Sequence, residues 1–158
     1  MMDMIFNILL WVMAIASGLM AGIYFAFSTF IMQSLAAIQP ECGISSMQSI
    51  NKIILKSMFM PVFLSSTVIS IFTAGLALYQ WGEAGTLAAL TASALYFIGM
   101  FVLTAAVNVP LNNKLAIHRP ESDEAKIIWH EYSKKWTRAN HVRALSSLLS
   151  MILFLYAT

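Results

Sequence analysis

The sequence predicts an all-α integral membrane protein: a four-helix bundle with an amphipathic cytoplasmic helix between its third and fourth crossings. Three observations carry this. Only 16 of 158 residues are charged, nine basic and seven acidic, which is 10% of the chain; a soluble domain usually has about 25%. Apolar residues make up 59%, and the mean hydropathy is +0.77. The charges are also grouped, leaving long uncharged gaps. This composition excludes a disordered chain and leaves too few charges to cover a soluble surface. The net charge of +2 is too small to suggest a nucleic-acid partner. The single cysteine, Cys42, excludes an intrachain disulfide framework and a cysteine zinc site.

The gaps place the elements of a single domain over residues 1–158. No charge lies in the 37 residues between Asp3 and Glu41, the 26 between Lys56 and Glu83, or the 30 between Glu83 and Lys114. A crossing needs about 20 apolar residues for a core of about 30 Å, so each gap holds one, near 5–30, 59–80 and 86–107. Within the first, Ala14-Ile15-Ala16 mimics a signal-peptide cleavage site. But no Lys or Arg precedes the apolar run, which is too long for an h-region, so a retained helix is expected. Pro40 ends that helix or its extension. The short turn Trp81-Gly82-Glu83-Ala84-Gly85 makes crossings two and three antiparallel neighbours. After Arg143 only 15 residues remain, so a fourth crossing over about 139–157 takes Asn140, His141 and Arg143 to the membrane boundary or inside it. Lys52 and Lys56 in the loop after crossing one, and six basic residues after crossing three, put both loops in the cytoplasm. Both termini then lie outside, as in a multi-pass protein of a bacterial inner membrane.

The stretch from His118 to Arg138 holds nine of the 16 charges. Pro120 followed by Glu121, Asp123 and Glu124 reads as a helix start, with acids where the macrodipole favours them. A helix is expected over about 122–138. No glycine or proline interrupts the chain after Glu121, so it runs into the fourth crossing either straight or with one bend. At about 100° per residue, Trp129, Tyr132, Trp136, Asn140, Arg143, Ser147 and Ser150 share a stripe about 80° wide. Placing Asn140 and Arg143 against lipid would be costly, so the stripe should face the interior. Arg138 faces away, and His141 falls off the stripe.

A second polar group lies on the same side. Thr104, Asn108 and Asn112 recur every four residues, and Pro110 removes a backbone donor in their midst. Gln48 and Asn51 precede crossing two. In crossing one, Gly18 and Gly22 form a close-packing pair, Phe25 and Thr29 extend that face, and Tyr24 and Phe27 lie beside it. Together these groups predict an apolar pocket with a few fixed donors at cytoplasmic-leaflet depth.

The chemistry is bounded by what is missing. The sequence shows no His/Asp/Glu cluster at metal-ligand spacing, no acid in any crossing, no glycine-rich phosphate loop and no nucleophile elbow. Its 11 methionines are scattered, as flexible core filler would be. A mid-membrane ionisable group, usual for proton coupling, is also lacking. His141 is then the one candidate general base, since a histidine can take a proton near neutral pH. Arg143, Asn112 and Asn140 are candidate donors to an enolate or phenolate oxygen.

At these residues the chain resembles the anthrone oxygenase-like family of small four-helix membrane proteins. The resemblance rests on Asn108-Val109-Pro110-Leu111-Asn112, followed by Trp129-x-x-Tyr132-x-x-x-Trp136-Thr137-Arg138-x-Asn140-His141-x-Arg143. Gly18-x-x-x-Gly22 with Phe25-Ala26-Phe27, and Gln48-x-x-Asn51, also fit it, so it spans nearly the whole chain. It implies oxidation of an anthrone to an anthraquinone with dioxygen as co-substrate and no cofactor or metal. It carries over Asn108, Asn112, Trp129, Trp136, Asn140, His141 and Arg143. His141 would be the base and Asn112, Asn140 and Arg143 the oxyanion donors. Trp129 and Trp136, with Tyr132, Phe25, Asn51 and Asn108, would hold the aromatic substrate. The helical phase of His141 conflicts with this: either the helix bends near Ala139, or His141 is not the base. The competing reading is a non-enzymatic membrane protein that binds a lipid, quinone or protein partner at the same pocket. A transporter is disfavoured by the apolar outer half. The Gly18/Gly22 pair allows a homo-oligomer as well as packing within one chain.

Overall fold

The computed structural model describes residues 2–158, and these form helices and turns with no strand among them. The first helical rod is longer than the charge gap suggested. It consists of α1 (Met2–Ala26), a π-helical turn (Phe27–Ile31) and α2 (Met32–Ala37), 36 residues in all. Pro40 does not merely end it. It occupies the first turn of a further helix, α3 (Pro40–Ile54), with Glu41 beside it, where the sequence suggested only a connecting loop. Proline's fixed φ and an acid at the positive end of the dipole both suit that position.

Helix α4 (Phe59–Tyr79) matches the second expected crossing. The chain then turns through Gly82 and Gly85, whose φ angles are +97° and +79°. Gly85 is required twice over: only glycine takes that φ without cost, and a Cβ there would run into the Ala157 carbonyl. The third rod comprises α5 (Thr86–Tyr96), two π-helical turns (Phe97–Val102 and Thr104–Asn108) and α6 (Val109–Ala116). It runs 31 residues, past the expected end near Val107. The second π turn directly precedes the turn that holds Pro110, and its wider ladder absorbs the donor that proline lacks.

The last element runs without a break from the charged stretch to the apolar end. Helix α7 (Asp123–Tyr156) is unbroken over 34 residues, about 51 Å. Ser122 caps it, its hydroxyl accepting from the Ala125 N–H at 3.2 Å, and Asp123 and Glu124 fill the first turn.

Three helical stretches are long and apolar enough to cross a membrane: Met2–Ala37, Phe59–Tyr79 and Thr86–Ala116. Helix α1 packs against α4 and α7, and α5 packs against the same two helices. One apolar cluster centres on Leu10, Met20, Phe63, Tyr96 and Phe154. A second, around Ile44, Met47, Leu115, Trp129 and Tyr132, joins α3 to the N-terminal half of α7. Gln48 fixes α3 there, its Nε2 donating to the carbonyls of Leu115 and His118 at 2.9 Å each. Outside, Ile15, Leu19, Phe72, Leu87 and Ile98 are exposed; an apolar exterior of this extent marks a membrane-facing surface rather than a solvated one.

Candidate functional site

All seven residues of the α7 stripe are buried. At its N-terminal end Trp129 stacks on Tyr132 at 5.5 Å between centroids, and Tyr132 on Trp136 at 6.2 Å. One atom organises the lower part of this column. The Asn112 side-chain oxygen accepts from the Tyr132 hydroxyl at 2.8 Å and from the Trp136 indole N–H at 3.0 Å. Burial pushes the Tyr132 phenol above its ordinary pKa, which keeps it a neutral donor. With its oxygen fully used, the end of Asn112 left for other partners is its amide NH₂.

One turn further on, Asn140 bridges α7 to α1. Its Nδ2 donates to the Tyr24 carbonyl at 2.6 Å and the Ser28 hydroxyl at 2.7 Å, and its Oδ1 accepts from Arg143 Nη2. Arg143 Nη1 donates to Thr104 Oγ1 at 3.0 Å, and that hydroxyl donates to the Met100 carbonyl at 2.6 Å. The guanidinium lies over the Tyr24 ring at 4.1 Å and near Trp136 at 5.2 Å, the geometry of a cation–π contact. Arg143 is only 5% exposed. Among the described residues no carboxylate forms a salt bridge with it; the ion pairs found are Lys114–Glu131, Lys126–Asp123 and Lys135–Glu131. A buried cation without a counter-charge is expensive.

These side chains border a cavity of about 140 Å³ where the two apolar clusters meet. Asn51, Thr104, Asn108, Asn112, Trp136, Tyr24 and Arg143 line it, with Phe27, Met47, Phe59 and Phe63 among its apolar walls. Four polar atoms around it make no hydrogen bond of good geometry: Tyr24 Oη, Asn51 Nδ2, Asn108 Oδ1 and Arg143 Nε, although the Tyr24 hydroxyl lies beside Thr104 and Asn51 beside the Tyr132 hydroxyl. Buried polar atoms are normally paired, so this concentration identifies the cavity as the place where a ligand would complete the bonding. No histidine, cysteine or carboxylate lines it.

The structure thus gathers Asn51, Asn108, Asn112, Trp136 and Arg143 around one space, with Asn140 and Tyr132 holding Arg143 and Asn112 from behind. Trp129 stands further back in the column. Two of the named residues are elsewhere. His141 is exposed and, with Phe25, lines an open groove of about 500 Å³ between α1 and α7 that also contains Gly18, Gly22 and Leu145. The unbroken α7 leaves His141 on that outer face. Within the groove Gly18 fulfils the close-packing expectation, since a Cβ there would sit 2.8 Å from Met151 Sδ, whereas Gly22 faces open space. Tyr24 is the main residue that the sequence reading did not assign to the site. Ser17, Tyr24 and Ser28 share one face of the first rod at spacings of seven and four, and all three are buried; that polar register was the available signal.

A family model described as anthrone oxygenase matches residues 51–153. No curated protein and no solved structure matches the chain. The matched segment is well over half the chain and contains every cavity residue contributed by α6 and α7, together with the asparagine pair around Pro110. The chain therefore belongs to the anthrone oxygenase family.

Proposed function

We propose that this chain is a cofactor-independent oxygenase for a phenolic or anthrone-like aromatic, working in the membrane. In this reading the C-terminal half of α7 is a fourth crossing that completes a four-helix bundle, and its N-terminal half is the amphipathic cytoplasmic helix. The termini lie outside and the cavity sits at cytoplasmic-leaflet depth. The observation that carries the reading is Arg143, a buried guanidinium with no carboxylate beside a cavity of unpaired donors. The anionic oxygen of a phenolate or enolate would supply the missing charge, and preorganised donors of this kind act strongly where water is excluded.

Holding that oxygen raises electron density at the ring carbon para to it, which in an anthrone is the enolisable CH₂ carbon. Dioxygen adds there: a C–O bond forms, the O–O bond then breaks, and water leaves. One oxygen atom ends as a new carbonyl and the other in water, so the four electrons lost by the substrate reduce one O₂. His141, outside the cavity, takes no part.

The test is oxygen uptake by purified, chelator-treated protein with an anthrone and with single-ring phenols. Uptake faster than the spontaneous reaction, and lost in Arg143→Gln, is expected. No acceleration with any of them would defeat the reading. A lipid or quinone retained in native mass spectrometry without turnover would point instead to a binding module.

A further inference from the structure

The size and polarity of the cavity narrow the ligand further, given the oxygenase reading of the same site. Its volume, about 140 Å³, is close to the ~150 Å³ apolar cavity that accepts one benzene molecule. A single ring fills its enclosed part, whereas three fused rings would extend out through its open side. Its two ends also differ. Tyr24, Asn108, Trp136 and Arg143 are buried, whereas Ile23, Leu55 and Val109 line the cavity while being 36%, 64% and 41% exposed. These three rim its open side, with Ile23 and Leu55 between the first rod and the connection from α3 to α4.

The unpaired atoms are of two kinds. Arg143 Nε and Asn51 Nδ2 are donors, and the Tyr24 hydroxyl can donate, whereas Asn108 Oδ1 can only accept. The Asn108 assignment is fixed because its Nδ2 already donates to the Trp136 carbonyl at 3.4 Å. An anionic oxygen satisfies the first group and would be repelled by the second. The acceptor calls for a hydroxyl hydrogen. No side chain in the lining is placed as a base, so the ligand's lost proton leaves to solvent as it binds.

We propose that the site takes a single-ring dihydric phenol as its monoanion. Its ionised oxygen faces Arg143, its second hydroxyl donates to Asn108, and the ring passes in between Ile23 and Leu55. 4-Nitrocatechol is a suitable probe: it has one ring and two hydroxyls, its nitro group slows oxidation, and its visible band reports ionisation. The purified protein should bind it with the monoanion band at a pH where the free probe is neutral. Arg143→Gln should abolish that band and weaken binding roughly tenfold to a hundredfold, the range for a lost charged hydrogen bond. Asn108→Leu should weaken 4-nitrocatechol several-fold but leave 4-nitrophenol, with its single hydroxyl, unchanged; this second variant keeps the test open if Arg143→Gln misfolds. A dihydroxyanthraquinone, which has to extend through the mouth, should bind more weakly than 4-nitrocatechol.

Binding of the probe in its neutral form, or equal binding of the three-ring dye, overturns the proposal. Equal losses of both nitro probes in Asn108→Leu overturn the role of the second hydroxyl. Oxygen uptake separates this proposal from the oxygenase reading. Monoanion binding with no uptake on any aromatic upholds the ligand class and removes the enzyme. Uptake on an anthrone with no binding of 4-nitrocatechol does the reverse.

Discussion

Arg143 is the residue whose cost and use are most clearly separated. Removing a buried cation with no counter-charge relieves a cost to folding that offsets the lost hydrogen bonds to Asn140 and Thr104, so Arg143→Gln should shift the melting temperature only slightly. Under the proposed function it should lower oxygen uptake by about 10²–10³-fold, the usual effect of removing a principal oxyanion donor. A large fall in melting temperature with unchanged uptake would make it a structural residue instead. Asn112 is the opposite case. Its oxygen pairs two buried donors, and Asn112→Ala strands both, at a cost of about 2 kcal/mol or more. Asn112→Leu combined with Tyr132→Phe should cost less than the two changes summed, because removing both partners of that hydrogen bond leaves only the Trp136 N–H unpaired; denaturant unfolding of the three variants measures this. At this scale the sequence revealed much. Arg143 emerged because the last uncharged stretch was too short to keep it clear of the membrane, and the stripe emerged from its phase. Tyr24 was legible only as a neighbour of the Phe25 face and not as a site residue, because Met20, Ala21 and Phe27 around it blur the polar register of Ser17, Tyr24 and Ser28.

The elements were legible in proportion to how apolar they are. Helix α4 could be placed closely because charges bound it on both sides. Helix α3 could not, because Gln48, Asn51 and Lys52 give it the look of a loop, and its buried face is only Gly43, Ile44 and Met47. Of the π-helical turns, only the one before Pro110 has a local signal in the sequence; those at Phe27–Ile31 and Phe97–Val102 have none. The hairpin of α2 and α3 depends on close approach. A Cβ at Gly43 would press on the Leu35 carbonyl and come within 3.2 Å of the Trp129 ring. Gly43→Ala should therefore destabilise the protein by about 1–3 kcal/mol, as overpacking does, and thermal unfolding would register it. An unchanged melting temperature would show that the hairpin yields freely.

For the molecule as a whole, charge distribution conveyed the class at once, and the extent of exposed apolar side chains agrees with it. The direction of insertion is a further step, and the chain carries its own reporter. Cys42 is exposed and is the sole cysteine. With the basic loops in the cytoplasm, a membrane-impermeant maleimide should label it in inverted vesicles and not in intact cells; the reverse pattern would invert the proposed topology. The mouth at Ile23 and Leu55 carries a kinetic consequence. Under the proposed function, a site that opens sideways into lipid would sample the bilayer, not the water, so its velocity should follow the substrate's mole fraction in the membrane or micelle. Extra detergent at constant total substrate should then slow turnover by surface dilution, and bulk concentration would be the wrong axis on which to plot its kinetics.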